Sequence, residues 1–249
     1  MTGYSTTELM AVAMARSFVD GEVVVMGAVP ALPLAAARLA KEMWAPHLSY
    51  IVGGSGTVNP TPESLPASSC DPALAAAAPS TLPLPEVVLL EGRGDALDVF
   101  CAGGLQIDAT GNCNLICVGD WHRPALRGPG TVGLPFLPAV RRSVLYAAVH
   151  NPRTLVERVD FVSGPGHEAS ARFGTEGPSL VVTPLAVLDF DPRTRRMRLH
   201  SVHPGVDAGQ VQAQTGFELA PNPSAGATPE PTAEELATLR RIDASGTLR

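Results

Sequence analysis

Glycines 53, 54 and 56 surround Ser55 in the run Ile51-Val52-Gly53-Gly54-Ser55-Gly56-Thr57. Glycine lets a backbone take positive φ and come close to a ligand, and a glycine loop after a buried parallel strand is where open α/β sheets hold their ligands. Ser55 sits as in a nucleophile elbow, but Thr57 replaces the closing glycine, which argues against an activated serine. The loop holds no carboxylate, histidine or cysteine, so it shapes a site without supplying its chemistry. Arg123 and Arg127 flank Pro124 in a Gly/Pro-rich stretch, where a guanidinium suits bidentate binding of carboxylate or phosphate. A surface ion pair is an equally good reading of both. After Gly103-Gly104 come Gln106, Asp108, Asn112 and Asn114, polar where a buried sheet should be apolar, which suggests a site or a ligand-facing edge.

Three further patterns carry less. Gly128-Pro129-Gly130-Thr131-Val132-Gly133 spells G-x-G-x-x-G, but Pro129 lies inside it, no strand is expected before it and no acidic residue follows about 20 positions on. An anion-holding or packing loop fits it better than a dinucleotide site. His200 with His203, and Cys113 with Cys117, have the look of metal pairs, but residues three or four apart along a strand lie roughly 10–13 Å apart, so no metal site is expected. His167-Glu168 follows the turn Ser163-Gly164-Pro165-Gly166 and could present a general base; a solvated turn is the stronger reading.

The elements that must position these residues alternate between strand and helix. Ser5-Thr6-Thr7-Glu8 has capping-box spacing and opens a helix. Glu22 to Met26 is a β-branched strand, Leu34 to Met43 an alanine-rich helix and Leu48 to Val52 a second buried strand, together a βαβ unit. Residues 59 to 85 read as a long surface excursion with one short helix, Glu86 to Arg93 as a helix and Ala96 to Ala102 as a strand. A tight turn is expected at 109–112 and a strand from Asn114 to Val118, whereas 120–138 resists assignment. Strands follow at Ser143 to Val149, Arg158 to Val162, Leu180 to Phe190 and Met197 to Val202, the last two joined by a turn at Asp191-Pro192. Helices at Val206 to Gln214 and Thr232 to Arg241 flank a flexible linker, 221–231.

Composition excludes several classes of function. Of 249 residues, 45% are hydrophobic and 17% charged, ordinary for a globular protein, and the net charge is −6. Lys41 is the only lysine, and the densest arginine cluster, Arg193, Arg195, Arg196 and Arg198, reads as a solvated hairpin turn. Without a basic stripe, nucleic acid is not a partner. No leader-like N-terminus and no apolar run of membrane-span length is visible, so a cytoplasmic protein with no membrane contact is expected. Four cysteines do not make a disulfide framework, and free thiols are expected.

Several stretches match one family in order. They are Val25-Met26-Gly27-Ala28-Val29-Pro30, Gly103-Gly104-Leu105-Gln106-Ile107-Asp108 with Gly111-Asn112-Cys113-Asn114, Val159 to Gly166, Asp189-Phe190-Asp191-Pro192, His203-Pro204-Gly205-Val206 and Thr215-Gly216-Phe217. With them the whole chain resembles the β subunit of family I CoA-transferases of the glutaconate CoA-transferase type. The resemblance implies a single domain, 1–249, with an open, mostly parallel α/β sheet flanked by helices, the CoA-transferase-like fold. It also implies an α-subunit partner, commonly as α2β2, and an acyl-CoA substrate that carries the coenzyme A, with no separate cofactor. Gly27, Ala28 and Val29 would hold the coenzyme A moiety.

Transferases of this family carry their catalytic glutamate in a Glu-Ser-Gly-like loop of this subunit, and Gly54-Ser55-Gly56 stands there. Glycine cannot form the glutamyl thioester. The chain therefore resembles more closely the β subunit of the steroid-degrading CoA hydrolase pair, which opens a carbocyclic ring by hydrolytic C–C cleavage with a carboxylate supplied by the α subunit. That implies Arg127 as the catalytic stabiliser of enolate charge, with Arg123 in reserve. Gly53, Gly54, Ser55, Gly56, Gln106, Asn112 and Arg123 would contact substrate, the glycines leaving room for a fused-ring acyl group. A CoA-transferase for dicarboxylic or 3-oxo acids, and a non-catalytic scaffold, are the alternatives.

Overall fold

The computed structural model describes residues 3–131 and 133–249. Val132, inside the literal glycine motif, lies outside them, as do Met1 and Thr2. The chain forms two compact units, Met1–Cys101 with Glu230–Arg249, and Ala102–Pro229.

In the first unit the Ser5 hydroxyl accepts from the Glu8 N–H at 3.0 Å while the Glu8 carboxylate accepts from the Ser5 N–H at 2.7 Å, which starts helix α1 (Thr6–Ala15) as the spacing predicts. Strand β1 (Val23–Met26), helix α2 (Ala31–Met43) and strand β2 (Ser49–Val52) form the expected βαβ unit, with β1 and β2 parallel. Helix α2 begins three residues early because Pro33 falls in its first turn, where a missing N–H costs nothing. Strand β3 (Thr57–Val58) turns back along β2, helix α3 (Pro72–Ala76) is the expected short helix, and β4 (Ser80–Thr81) pairs with β3. Helix α4 (Leu84–Gly92) leads into β5 (Val99–Gly103), parallel to β1 on its other side. Val24, Val25, Met26, Tyr50, Ile51, Val52, Val99 and Phe100 are all buried, the continuous burial of a parallel sheet covered on both faces.

The second unit opens with short strands. β6 (Gln106–Asp108) and β7 (Cys113–Asn114) flank the predicted tight turn, and β8 (Cys117–Gly119) pairs with β9 (Pro124–Arg127) as a ribbon. The expected strand 114–118 is therefore two strands, because the Asn114 side-chain oxygen accepts from the N–H groups of Ile116 and Cys117 and turns the chain between them. A 3-10 turn, Leu134–Ala139, precedes β10 (Arg142–Tyr146). The following strand is β11 (Leu155–Val156), paired with β6, and not 158–162. There the Asp160 N–H donates to Gln106 at 3.0 Å, a side chain taking the place of a ladder partner.

Helix α5 (His167–Phe173) leads to β12 (Gly177–Val182), β13 (Ala186–Phe190) and β14 (Met197–Val202). The single strand expected over 180–190 is broken at Thr183, whose hydroxyl donates to Ala186 O at 2.8 Å and closes a hairpin. β10 and β12 are parallel, whereas β12, β13 and β14 run antiparallel. After helix α6 (Ala208–Ala213), the segment expected as a flexible linker holds β15 (Gly226–Ala227), paired with β14. Thr228 is buried there against Ser201 and His203, so the segment is pinned and not free.

Helix α7 (Ala233–Ile242) returns to the first unit behind a Thr232–Glu235 capping box. Arg16 grips Glu235 at 2.7 and 2.8 Å, and Arg240 grips the buried Glu8 at 2.7 and 3.1 Å, tying α7 to α1. The two carboxyls are held below their ordinary value: burial works against this, but the arginine and backbone N–H donors outweigh it.

Candidate functional site

The glycine loop caps the C-terminal end of β2. Gly53 N–H donates to Met26 O at 3.0 Å and Gly56 N–H to Val52 O at 2.9 Å, which holds the loop against the end of β1. Gly56 needs to be glycine twice over: its φ is +65°, and a Cβ would strike the carbonyl oxygen of Leu82. Ser55 Oγ bonds Thr57 Oγ1 at 2.9 Å and Val52 O at 3.3 Å, with no histidine or carboxylate among its partners.

Gly54 is glycine for a different reason. A Cβ there would overlap Ser69 Oγ, lie 2.9 Å from Ser69 Cβ and 3.2 Å from Cys70 Sγ. The space a side chain at 54 would take is filled from another loop, which corrects the expectation that the glycine leaves room for an acyl group. Ser69 is buried and its N–H donates to Ala28 O at 3.0 Å, so the same loop fastens the Gly27-Ala28-Val29 turn. That turn leads into α2, whose first residues have no side-chain cap, and Val29 is exposed.

Glu91 was not anticipated. It is 5% exposed, and its Oε1 lies 3.5 Å from where a Cβ on Gly53 would stand. Burial alone pushes the carboxyl up to about 7. Sequence reading put Glu86 to Arg93 on a helix but had no means of telling which of two faces turns inward. α4 buries Val87 and Glu91 while Leu84, Val88 and Leu89 stand exposed, the reverse of the usual sidedness.

In the second unit the polar motif after Gly103-Gly104 is an interlocked turn. Asp108 Oδ1 accepts from Thr110 N, Thr110 Oγ1 and Asn112 N, each at 3.0 Å, and Oδ2 accepts from Asn112 Nδ2 at 2.9 Å. Asn112 Oδ1 in turn accepts from Gly166 N–H at 2.8 Å, and a Cβ on Gly166 would lie 2.6 Å from Thr110 O. Gln106 accepts from Asn114 Nδ2 at 2.7 Å and donates to Asp160 Oδ2 at 3.1 Å. The amides of Gln106 and Asn112 are thus committed to internal bonds, and the two glycine-rich stretches pack because neither carries a side chain at the contact.

Arg127 lies exposed on β9, donating to Trp121 O at 3.1 Å with its guanidinium 4.9 Å from the Trp121 ring centre. Trp121 stacks on Phe161 at 5.3 Å, so an aromatic pair orients the cation. Arg123 is exposed, with no side-chain partner among the described residues. Gly128 does follow a strand, contrary to expectation, but the strand belongs to a two-stranded antiparallel ribbon and leads to a 3-10 turn, not to the helix of a βαβ unit.

His167 is no solvated turn residue. It opens α5, packs edge-on against Phe190 at 4.7 Å and is held down to about 4 by burial and, after that, by Arg195. Its neighbour Glu168 pairs with Arg172 on the surface. His200 reaches Asp189 at 3.3 Å, whereas His203 is buried against Thr228 and Thr183, so the two do not converge. Burial pushes the Cys113 thiol up to about 12. Among the described residues no three His, Cys, Asp or Glu side chains stand close enough to hold a metal ion, and no helix is long and apolar enough to cross a membrane.

Likeness to known sequences and structures places this α/β chain in the coenzyme A transferase class. The Coenzyme A transferase family model matches residues 7–214, and the chain belongs to that family. It is 32% identical to the B subunit of 3-oxoadipate CoA-transferase from Pseudomonas knackmussii over 98% of this chain and 95% of that one. It is 31% identical to the cholesterol ring-cleaving hydrolase IpdB subunit of Rhodococcus jostii over 97% of this chain and 93% of that one. The crystal structure of glutaconate coenzyme A-transferase from Acidaminococcus fermentans superimposes with a TM-score of 0.88 at 30% identity, covering 99% of this chain and 98% of that one. The chain is accordingly a homologue of the B subunits of heteromeric enzymes, and its expected fold is the one found.

Proposed function

We propose that this chain is the β subunit of a heteromeric CoA-thioester hydrolase that opens a carbocyclic ring of a steroid-derived acyl-CoA. Water adds to a ring carbonyl, the adjacent C–C bond breaks, and its electron pair passes to the carbon next to the thioester as an enolate. The observation that carries this reading is at Gly54: the residue that by resemblance stands at the transferase glutamate's place is a glycine, and Ser69 fills the space a side chain there would need. A chain without a nucleophile here cannot form the acyl-enzyme of a transferase, so the carboxylate that activates water comes from the α subunit.

Arg127 is the cation assigned to the enolate, its orientation supported by Trp121. The Gly27-Ala28-Val29 turn, with the uncapped start of α2 behind it, is assigned to the coenzyme A moiety. Gln106 and Asn112 hold the turn around Asp108 and act on substrate only through it. The likeness to the IpdB subunit of Rhodococcus jostii supports the hydrolase; the equal likeness to 3-oxoadipate CoA-transferase favours a second reading, a transferase.

Incubating the assembled complex with acyl-CoA and then hydroxylamine separates the two. The hydrolase leaves this chain unmodified and yields ring-opened acid; a hydroxamate on this chain refutes the proposal.

A further inference from the structure

Helix α4 is built the wrong way round for a helix at the surface of a lone chain. Leu84, Val88 and Leu89 are 60%, 40% and 67% exposed, while the acid Glu91 is 5% exposed. An ionised carboxylate buried without a partner costs several kcal/mol, about as much as any single defect a fold tolerates. Glu91 has no hydrogen bond or ion pair among the described residues, and its carboxyl oxygens are not among the fully buried unpartnered atoms, so they keep access to solvent at the loop. The carboxyl lies under Gly53, at the ends of two parallel strands, with Oε1 3.5 Å from the missing Cβ. A Cβ at 53 would stand in van der Waals contact with it. No charged group among the described residues acts on it, from β1, the β2 loop or α4 itself.

We infer that Glu91 is the proton donor of the glycine-loop site, delivering a proton to the carbon that carries the enolate when the C–C bond breaks. This rests on the reading that the loop borders the reacting thioester. The base of the partner subunit takes one proton from the attacking water, and the other stays on the new carboxylic acid. Glu91 gives its own proton to the carbon next to the thioester and is left as carboxylate. The protonated base releases its proton to solvent, and Glu91 takes one back, which completes the cycle with no net change in the enzyme. A buried acid with a value of about 7 suits the task because a large fraction of it is still protonated at neutral pH, where an exposed glutamate would be almost wholly ionised.

The experiment uses the assembled heteromer with Glu91→Gln and Glu91→Leu, read by ring opening of a fused-ring acyl-CoA, by thermal unfolding and by the infrared carboxyl band that Glu91→Gln removes. The expected results are a kcat lowered at least 100-fold with KM within about threefold, a melting temperature unchanged or raised, and a carboxyl band that disappears with a midpoint near 7. Near-normal kcat in Glu91→Gln, a carboxyl ionised throughout, or loss of assembly in both variants overturns the assignment. Absence of ring opening by the wild-type complex refutes the hydrolase reading instead, and the infrared titration still decides whether the loop holds a neutral acid.

Discussion

Substituting Gly54 by alanine tests whether the glycine is there for space or for backbone freedom. Its φ is not positive, so the substitution carries no backbone penalty. What the new methyl meets is Ser69: the hydroxyl can rotate away, but Ser69 Cβ stays 2.9 Å from it, because the Ser69 N–H is bonded to Ala28 O. Overpacking of this kind costs about 1–3 kcal/mol. In a chain of this length each kcal/mol lowers the melting temperature by about 2–4 °C. Removing the obstacle with Ser69→Gly should restore most of the loss, giving a favourable coupling of about 1 kcal/mol or more in a double-mutant cycle. Thermal unfolding of the four proteins measures it. If Gly54→Ala lies within about 0.5 kcal/mol of wild type, or if Ser69→Gly gives no rescue, Ser69 is not what fills the site. The same geometry predicts that Gly54→Glu alone gains no hydroxylamine-trappable thioester.

Arg127→Ala should abolish turnover of the assembled complex with assembly intact, and near-normal activity would remove it from the chemistry. Gln106→Ala leaves the buried Asn114 and the Asp160 N–H each short of a partner, and a stability loss of about 1–3 kcal/mol is expected by denaturant unfolding. Glu91 carries a pH signature in the fold itself. Its value of about 7 lies above the ordinary 4.5, so its contribution is complete below about 4.5 and is lost as pH rises through 7. Glu91→Gln should therefore gain on wild type across that window, by about 3 kcal/mol at its end; a constant difference would show the carboxyl is not perturbed. His150 and His167, both held down to about 4 by burial, act the opposite way, with a contribution complete above about 6.5 and lost as pH falls through 4.

Local rules read from the residues carried the first half of the chain. Ser5 and Glu8 marked the start of α1, the β-branched run from Val23 marked β1, and the glycine loop was placed correctly at the end of β2, because caps, periodicity and turn chemistry act over a few residues. That the loop carries no carboxylate, histidine or cysteine was also legible in the chain alone. The helix from Thr232 was equally expected, though not what its first turn serves, since Arg16 reaches Glu235 from the other end of the chain.

What only the tertiary structure decided was wherever a side chain satisfies a distant backbone or a helix chooses its inward face. The Asp160 N–H bonds Gln106 across 54 positions, which removes a strand that propensity favours. Thr228 turns a Pro/Gly segment into a strand by reaching Ser201 and His203. The glycine loop shows the division most plainly: that it holds no carboxylate is written in the sequence, but Ser69 filling the space beside Gly54 and Glu91 buried beside Gly53 come from loops and helices distant in the chain. Burial is a property of the assembled neighbours, and no spacing within α4 states which of its faces they will cover.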